Sequence, residues 1–325
     1  MQFLDHKTTN KPADDIEDVV RAITDFYVRQ ASTDIGFDWT IPTAYKQIGK
    51  TIDSFKLEFG GSDWNSYHTY IQEVIDLWDG AYDFSEYDAV IVEEPRSVTN
   101  IENPTFNPYN PQSLNLPDGY YSDEGEIMHI LITGNDEQRN IPNWVHEFGH
   151  LLGLPDRNWK TDSKPGFDIM FGWYGSPELS VWLRMQLQII KDSQIDCKTD
   201  KVTSTHWVQP VAWDGDYKKG IVIRVSDNVA IVVESRRRQG YDALFGKESE
   251  GAYVYRIDTN APVYSLENTD WKPVDVLRPA RSKPIMDWAL DAALDPGESV
   301  TSDGWTVKVV EAGAFGDVVQ VSYTG

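Results

Sequence analysis

The stretch NIPNWVHEFGHLLGLPD, residues 140–156, decides how the rest of the chain is read. His146 and His150 are four residues apart, so on a helix their imidazoles project from one face, one turn apart. That spacing lets two nitrogens reach a single zinc ion. Glu147 follows the first histidine and need not bind the metal: it can take a proton from the water that a metal activates. Gly153 can adopt the left-handed conformation that ends a helix, and Pro155 prevents resumption. The turn brings Asp156, six residues after His150, back towards the metal. A carboxylate there completes three protein ligands and leaves one position for water, which marks a catalytic rather than a structural zinc site. Trp144, Val145, Phe148, Leu151 and Leu152 give the same helix an apolar face. A plain amphipathic helix with incidental histidines would explain that face, but not the Gly153 and Asp156 extension.

Outward from this segment, helical periodicity comes first and extended runs follow. Residues 14–31 are expected to be helical, with Ile16, Val19, Val20, Ile23, Phe26 and Tyr27 at helical spacing and acids at the front. Residues 64–79 repeat the pattern through Tyr67, Tyr70, Ile71, Val74, Ile75 and Trp78, and Gly80 ends it. Strands are expected over Tyr87–Val92 and Glu126–Thr133, with a long loop rich in Pro, Asn and Tyr over 95–121 between them. The histidine-bearing helix is expected over Pro142–Leu152, and another over Pro177–Lys191. Beyond about residue 200 come β-branched runs separated by turns: Gly220–Val225, Val229–Glu234, Ala252–Ile257, Trp305–Val310 and Val318–Tyr323. The expected fold class is therefore α+β, with an α/β domain over 1–200 and a β-rich domain over 201–325 packed on it.

Composition narrows the function. The chain has 325 residues and a formal net charge of −23. An acidic surface repels nucleic acid and anionic membranes, so neither is an expected partner. No apolar run of 18 residues or more suggests a membrane span. A single cysteine, Cys197, excludes an intrachain disulfide and a cysteine-rich metal site. The opening MQFLDHKTTN carries no charged n-region followed by an apolar stretch, so either the protein is not exported or its N-terminus is trimmed; Phe3 and Leu4 read like the end of a strand, which favours trimming.

HEFGHLLGLPD resembles the zinc signature HExxHxxGxxD of the immune inhibitor A family of secreted bacterial metallopeptidases, in which aspartate replaces the third histidine of most metzincins. Snapalysin-like peptidases share that aspartate version, so the flanking segments carry the assignment. DIMFGWYGSPELSVWLRMQL (168–187) resembles the family's methionine turn and following helix, with Met170 as an apolar floor under the zinc. AIVVESRRRQGYD (230–242) and EGAYVYRIDTN (250–260) resemble two later strands. DFYVRQAS (25–32), FSEYDAVIV (84–92) and LDPGESVTSDGWTVKVVEAG (294–313) are similar to further stretches, in order.

The resemblance implies a metzincin-like catalytic domain and a secreted zinc endopeptidase acting on protein or peptide substrates. His146, His150 and Asp156 would be the metal ligands and Glu147 the general base, with calcium as a further structural ion. Tyr174, four residues beyond Met170, could donate to developing negative charge. The chain departs from the family in Arg157, Asn158 and Trp159, where tyrosine and aspartate are frequent, and in LRMQLQII, where a Gly-Trp pair is frequent. These departures fall at the rim of the cleft.

Other residues read less sharply. His129 sits in an apolar strand and is expected to be a core residue; His6, His68 and His206 have no motif around them. Arg236, Arg237 and Arg238 are expected to be a solvated strand end or surface ion pairs, the alternative being recognition of a substrate carboxylate. Asp214, Asp216, Asp270 and Asp275 are candidate calcium ligands, with no twelve-residue EF-hand pattern. Cys197 lies in a polar stretch without a partner signal, and no GxSxG elbow is present. The competing class is a metallopeptidase-like binding or adhesion module without proteolysis, which the twelve tryptophans would suit and an intact Glu147 argues against.

Overall fold

The structure, a computed structural model, describes residues 2–56, 64–93, 119–132, 141–155, 168–171, 177–244, 246–261, 273–280 and 292–325. The fold is mixed α and β, in two compact units. The first comprises Met1–Phe26 with Gly36–Gly153, the second Tyr27–Ile35 with Leu154–Gly325.

The first helix is α1 (Pro12–Gln30), which belongs to the first unit as far as Phe26 and whose first turn carries Asp14 and Asp15 where the helix dipole favours acids. Then come α2 (Trp64–Asp79), β1 (Val90–Val92), β2 (Tyr120–Ser122), β3 (Gly125–Ile127), β4 (Ile130–Ile132) and α3 (Ile141–Leu151). β1 and β4 pair in parallel, while β2 and β3 form an antiparallel hairpin. α2 buries Tyr70, Ile71, Val74 and Ile75, recurring at three- and four-residue spacing, against Phe3, Ile52, Phe55, Val92, Tyr120 and Ile130. Phe3 is fully buried beside Phe55 and Tyr70, and Gln2 bridges to Gln47.

Two expectations change here. Of the run expected over Glu126–Thr133, the described part up to Ile132 is two strands, β3 and β4, broken at the exposed Met128 and His129. His129 is thus not a core residue; its carbonyl oxygen accepts the Val90 N–H (2.9 Å) while its ring faces outward. Tyr120, placed by sequence in a loop, is buried in β2.

The second unit holds α4 (Val181–Gln186) and β5 (Ile195–Lys198), β6 (Ser204–Val208), β7 (Gly220–Arg224), β8 (Val229–Arg236), β9 (Gly251–Asp258), β10 (Val274–Leu277), β11 (Ser299–Ser302), β12 (Trp305–Gly313) and β13 (Gly316–Tyr323). One sheet has the order β10-β9-β8-β7-β5 and the other β11-β12-β13-β6. Alternation divides the first sheet's side chains between two cores. Ile221, Ile223, Ile231, Val233 and Val254 meet Val307, Val309, Val319 and Val321 of the second sheet. Val232, Tyr253, Tyr255 and Ile257 face Val181 and Ile190 on the other side. A sheet covered on both faces explains the near-continuous apolar runs of β8 and β9.

Residue 200, where the sequence texture changes, lies inside this unit. α4 and β5, before that point, share one apolar cluster with strands after it; along the chain the two units divide at Phe26/Tyr27, Ile35/Gly36 and Gly153/Leu154.

The helix expected over Pro177–Lys191 is confined to six residues. Before it, main-chain N–H groups are taken by distant side chains: Glu178 N–H by Asp242 (3.0 Å) and Val181 N–H by Glu234 (2.7 Å). Ser180 caps the helix by accepting the Leu183 N–H. At the other end Gln188 sits at φ 57°; its N–H reaches Met185 O (3.1 Å) and that of Ile189 reaches Arg184 O (3.0 Å). That pair of bonds closes a helix whatever the periodicity beyond it.

Candidate metal centre

Pro142 stands in the first turn of α3, where a missing N–H costs nothing. Asn143, Trp144, Val145, His146, Phe148 and Gly149 are buried, so the helix sits deep in the first unit and packs against β4. Its back is held by aromatic rings. Phe148 meets Phe37 edge-on at 5.3 Å and Trp39 at 5.7 Å, and Trp39 Nε1 donates to Thr24 Oγ1 at 3.0 Å. Phe148 lies two residues from each histidine, hence on the opposite side of the helix from them. The helix ends as anticipated: Gly153 has φ 86°, and its N–H reaches His150 O at 2.9 Å.

On the other face, the His146 and His150 rings lie 5.0 Å apart with planes at 88°. His146 is 6% exposed, and Glu147 and His150 are largely covered. His150 Nε2 and Glu147 Oε2 are 3.9 Å apart, too long for a hydrogen bond. One ligand atom from each of His146, Glu147 and His150 lies within 4.8 Å of the other two. Ligands at zinc–nitrogen distance on a tetrahedron sit roughly 3.4 Å apart, so small side-chain rotations suffice to bring donors onto one ion. Imidazole and carboxylate are the donor types zinc takes, and among the described residues this trio is the group that could hold a metal.

Asp156, Tyr174 and Asp270 lie outside the described residues. Met170 is 1% exposed in a short 3-10 turn, Ile169–Phe171, of the second unit, where its N–H donates to Asp168 Oδ1 at 2.9 Å. Among the described residues, Asp214, Asp216 and Asp275 join no group of three potential ligands.

The arginine run is corrected. Arg236 and Arg237 are neither solvated nor available to a substrate: they are 3% and 7% exposed. Arg236 binds both oxygens of Asp242 (3.0 and 2.9 Å) and Glu234 (2.6 Å), and donates to Glu178 O. Arg237 is bidentate to Asp317 (2.9 and 3.0 Å). Only Arg238 of the three is exposed. Their function is to close the interior of the second unit.

Two arrangements in the second unit escaped the sequence. A cavity of about 440 Å³ is lined by Arg184, Trp213, Asp214, Asp216 and Lys219 among others. Lys219, 2% exposed, donates to the carbonyls of Val211 (3.2 Å) and Trp213. Burial, with Arg184 adding repulsion, pushes its ammonium down to about 8. The second arrangement is a chain of side chains, Ser204, His206 and Asp196, on the outer strands of the two sheets. A Ser-x-His alternation would put two of its members on one face of a strand, but no strand was expected there, and nothing in the sequence signalled Asp196.

No protein-family model matches the chain, and no curated protein is significantly similar to it.

Proposed function

We propose that this chain is a secreted zinc endopeptidase with a metzincin-like catalytic domain, similar to the immune inhibitor A family. The observation that carries the reading is the placement of two imidazoles and a carboxylate on one turn of a buried helix that Gly153 then ends. His146 and His150, with Asp156, would hold the metal. Zinc so held supplies Lewis acidity, which polarises a peptide carbonyl and lowers the pKa of water.

The residues divide the remaining work. Glu147 takes the proton of the attacking water and passes it to the departing amine. Its neighbour His150, 3.9 Å away, belongs to the same helical turn, so the base is positioned by the element that positions the ligands. The aromatic packing of Phe148 on Phe37 and Trp39 keeps that turn from rotating. No covalent intermediate on the protein is required. As a ligand Asp156 would bring a full negative charge where a histidine brings none, and would so make a bound metal a weaker Lewis acid. Asp156→His, with metal content unchanged, should therefore raise turnover.

Zinc stoichiometry and casein hydrolysis, measured on the wild-type chain and Glu147→Ala, test the proposal. Both proteins should hold one zinc, and the variant should lose at least about 10²-fold in rate, the scale of a general base. Zinc in both with hydrolysis in neither would mean a latent peptidase, a highly selective one, or a metallopeptidase-like binding module. Zinc in neither would refute the reading.

A further inference from the structure

Ser204 and His206 alternate on β6, the outer strand of one sheet, so their side chains share a face. Asp196 comes from β5, the outer strand of the other sheet. Ser204 Oγ lies 2.8 Å from His206 Nε2, and His206 Nδ1 lies 3.0 Å from Asp196 Oδ2. Lys218 Nζ holds the other oxygen of Asp196 at 2.9 Å and donates to Ile195 O at 3.3 Å. Partial burial acts to raise the Asp196 carboxyl, but the hydrogen bonds from Lys218 and His206 outweigh it and keep it below the ordinary carboxylate range. An ionised Asp196 accepts the proton on Nδ1. That sets the tautomer: Nε2 is left with its lone pair towards the Ser204 hydroxyl. A nucleophile within reach of a base, and a base oriented by a third group, is the general signature of an activated hydroxyl. Ser204 and His206 are each only partly buried.

We propose that Ser204 is a second reactive centre, independent of the zinc reading, in which His206 and Asp196 activate its hydroxyl towards acyl and phosphonyl donors. In the step, the Oγ–H proton moves to His206 Nε2 as Oγ bonds to the acyl carbon or phosphorus. The bond to the leaving group breaks, and the leaving group departs with the electron pair. His206 then returns its proton to the leaving group or to water. A positioned general base contributes about 10²–10⁴-fold, well short of what an unactivated peptide bond demands. The substrate class is therefore activated esters and phosphonates with good leaving groups.

The whole chain is incubated with an alkyl fluorophosphonate and the adduct located by peptide mass spectrometry. The expected result is an adduct on Ser204, unaffected by EDTA and absent from Ser204→Ala. Labelling should be at least tenfold slower in His206→Gln and in Asp196→Asn, with unchanged circular dichroism and melting temperature. Either variant suffices if the other fails to fold. No adduct on Ser204 in the wild type overturns the proposal, as does labelling at the wild-type rate in a folded His206→Gln. Loss of labelling with EDTA would likewise overturn it, since the reactivity would then depend on a metal.

Discussion

Lys219 shows how a single buried charge sets a pH dependence. Its pKa falls from the ordinary 10.5 of an unfolded chain to about 8. Between those values the unfolded chain binds more protons than the folded one, so stability rises with pH across that window. The shift corresponds to about 3 kcal/mol, fully developed above the unfolded value. Urea unfolding of wild type and Lys219→Met at pH 7 and pH 10 isolates it from other titrating groups. The stability difference should move in favour of wild type at the higher pH; an unchanged difference would show that Lys219 does not titrate there. Arg236 is the opposite case, a cation whose removal strands anions. Glu234 and Asp242 are almost wholly buried around it, so Arg236→Ala should cost about 3–5 kcal/mol in the same assay. A loss below about 1 kcal/mol would mean the acids find other partners. The turn that groups His146, Glu147 and His150 was legible because its pattern is local. The arginines were misread for the opposite reason: Arg237 finds Asp317 80 positions away, which no window on the sequence contains.

At the scale of elements, α3 owes its end to one backbone conformation. Gly153 has φ 86° and open space where a Cβ would stand, so Gly153→Ala tests strain without a clash. The expected cost is about 1 kcal/mol in thermal or urea unfolding, less for Gly153→Asn, since asparagine tolerates the left-handed region. Equal stability of Ala and Gly at this position would mean that the turn can relax. Such terminators separate what sequence could read from what it could not. α1, α2 and α3 follow their apolar periodicity closely, with Pro12 at the start of α1, Gly80 after α2, and Pro142 and Gly153 at the two ends of α3 as local marks. α4 does not, because Asp242, Glu234 and Gln188 set its ends through bonds the sequence does not announce. The strands β8, β9, β12 and β13 are long and apolar enough to be seen. β5, β6, β10 and β11 have four or five residues each, and β5, β6 and β11 are largely polar, so burial by neighbours rather than pattern makes them strands.

The whole molecule carries 52 acidic and 29 basic residues, and where the minority charge sits decides how salt acts on it. Arg184, Arg236, Arg237 and Lys219 are buried, and the three arginines are locked in ion pairs that mobile ions scarcely screen. Their acidic partners Glu178, Asp242 and Asp317 are buried with them, so the net negative charge stays on the exposed surface, and repulsion among exposed carboxylates is what salt does screen. The two effects act in one direction: raising NaCl from about 10 mM to about 200 mM, across which the Debye length falls from roughly 30 Å to under 10 Å, should raise the melting temperature. A fall would mean that exposed ion pairs, such as Arg224 with Asp227, outweigh the repulsion. The same titration examines the calcium expectation. NaCl and CaCl2 compared at equal ionic strength share the screening term, so any extra stabilisation by calcium measures binding. For one site it grows as RT ln(1 + [L]/Kd), saturable in form and reversed by a calcium chelator. If the two salts give one curve, the acidic surface acts through its net charge alone and no calcium site contributes to the fold.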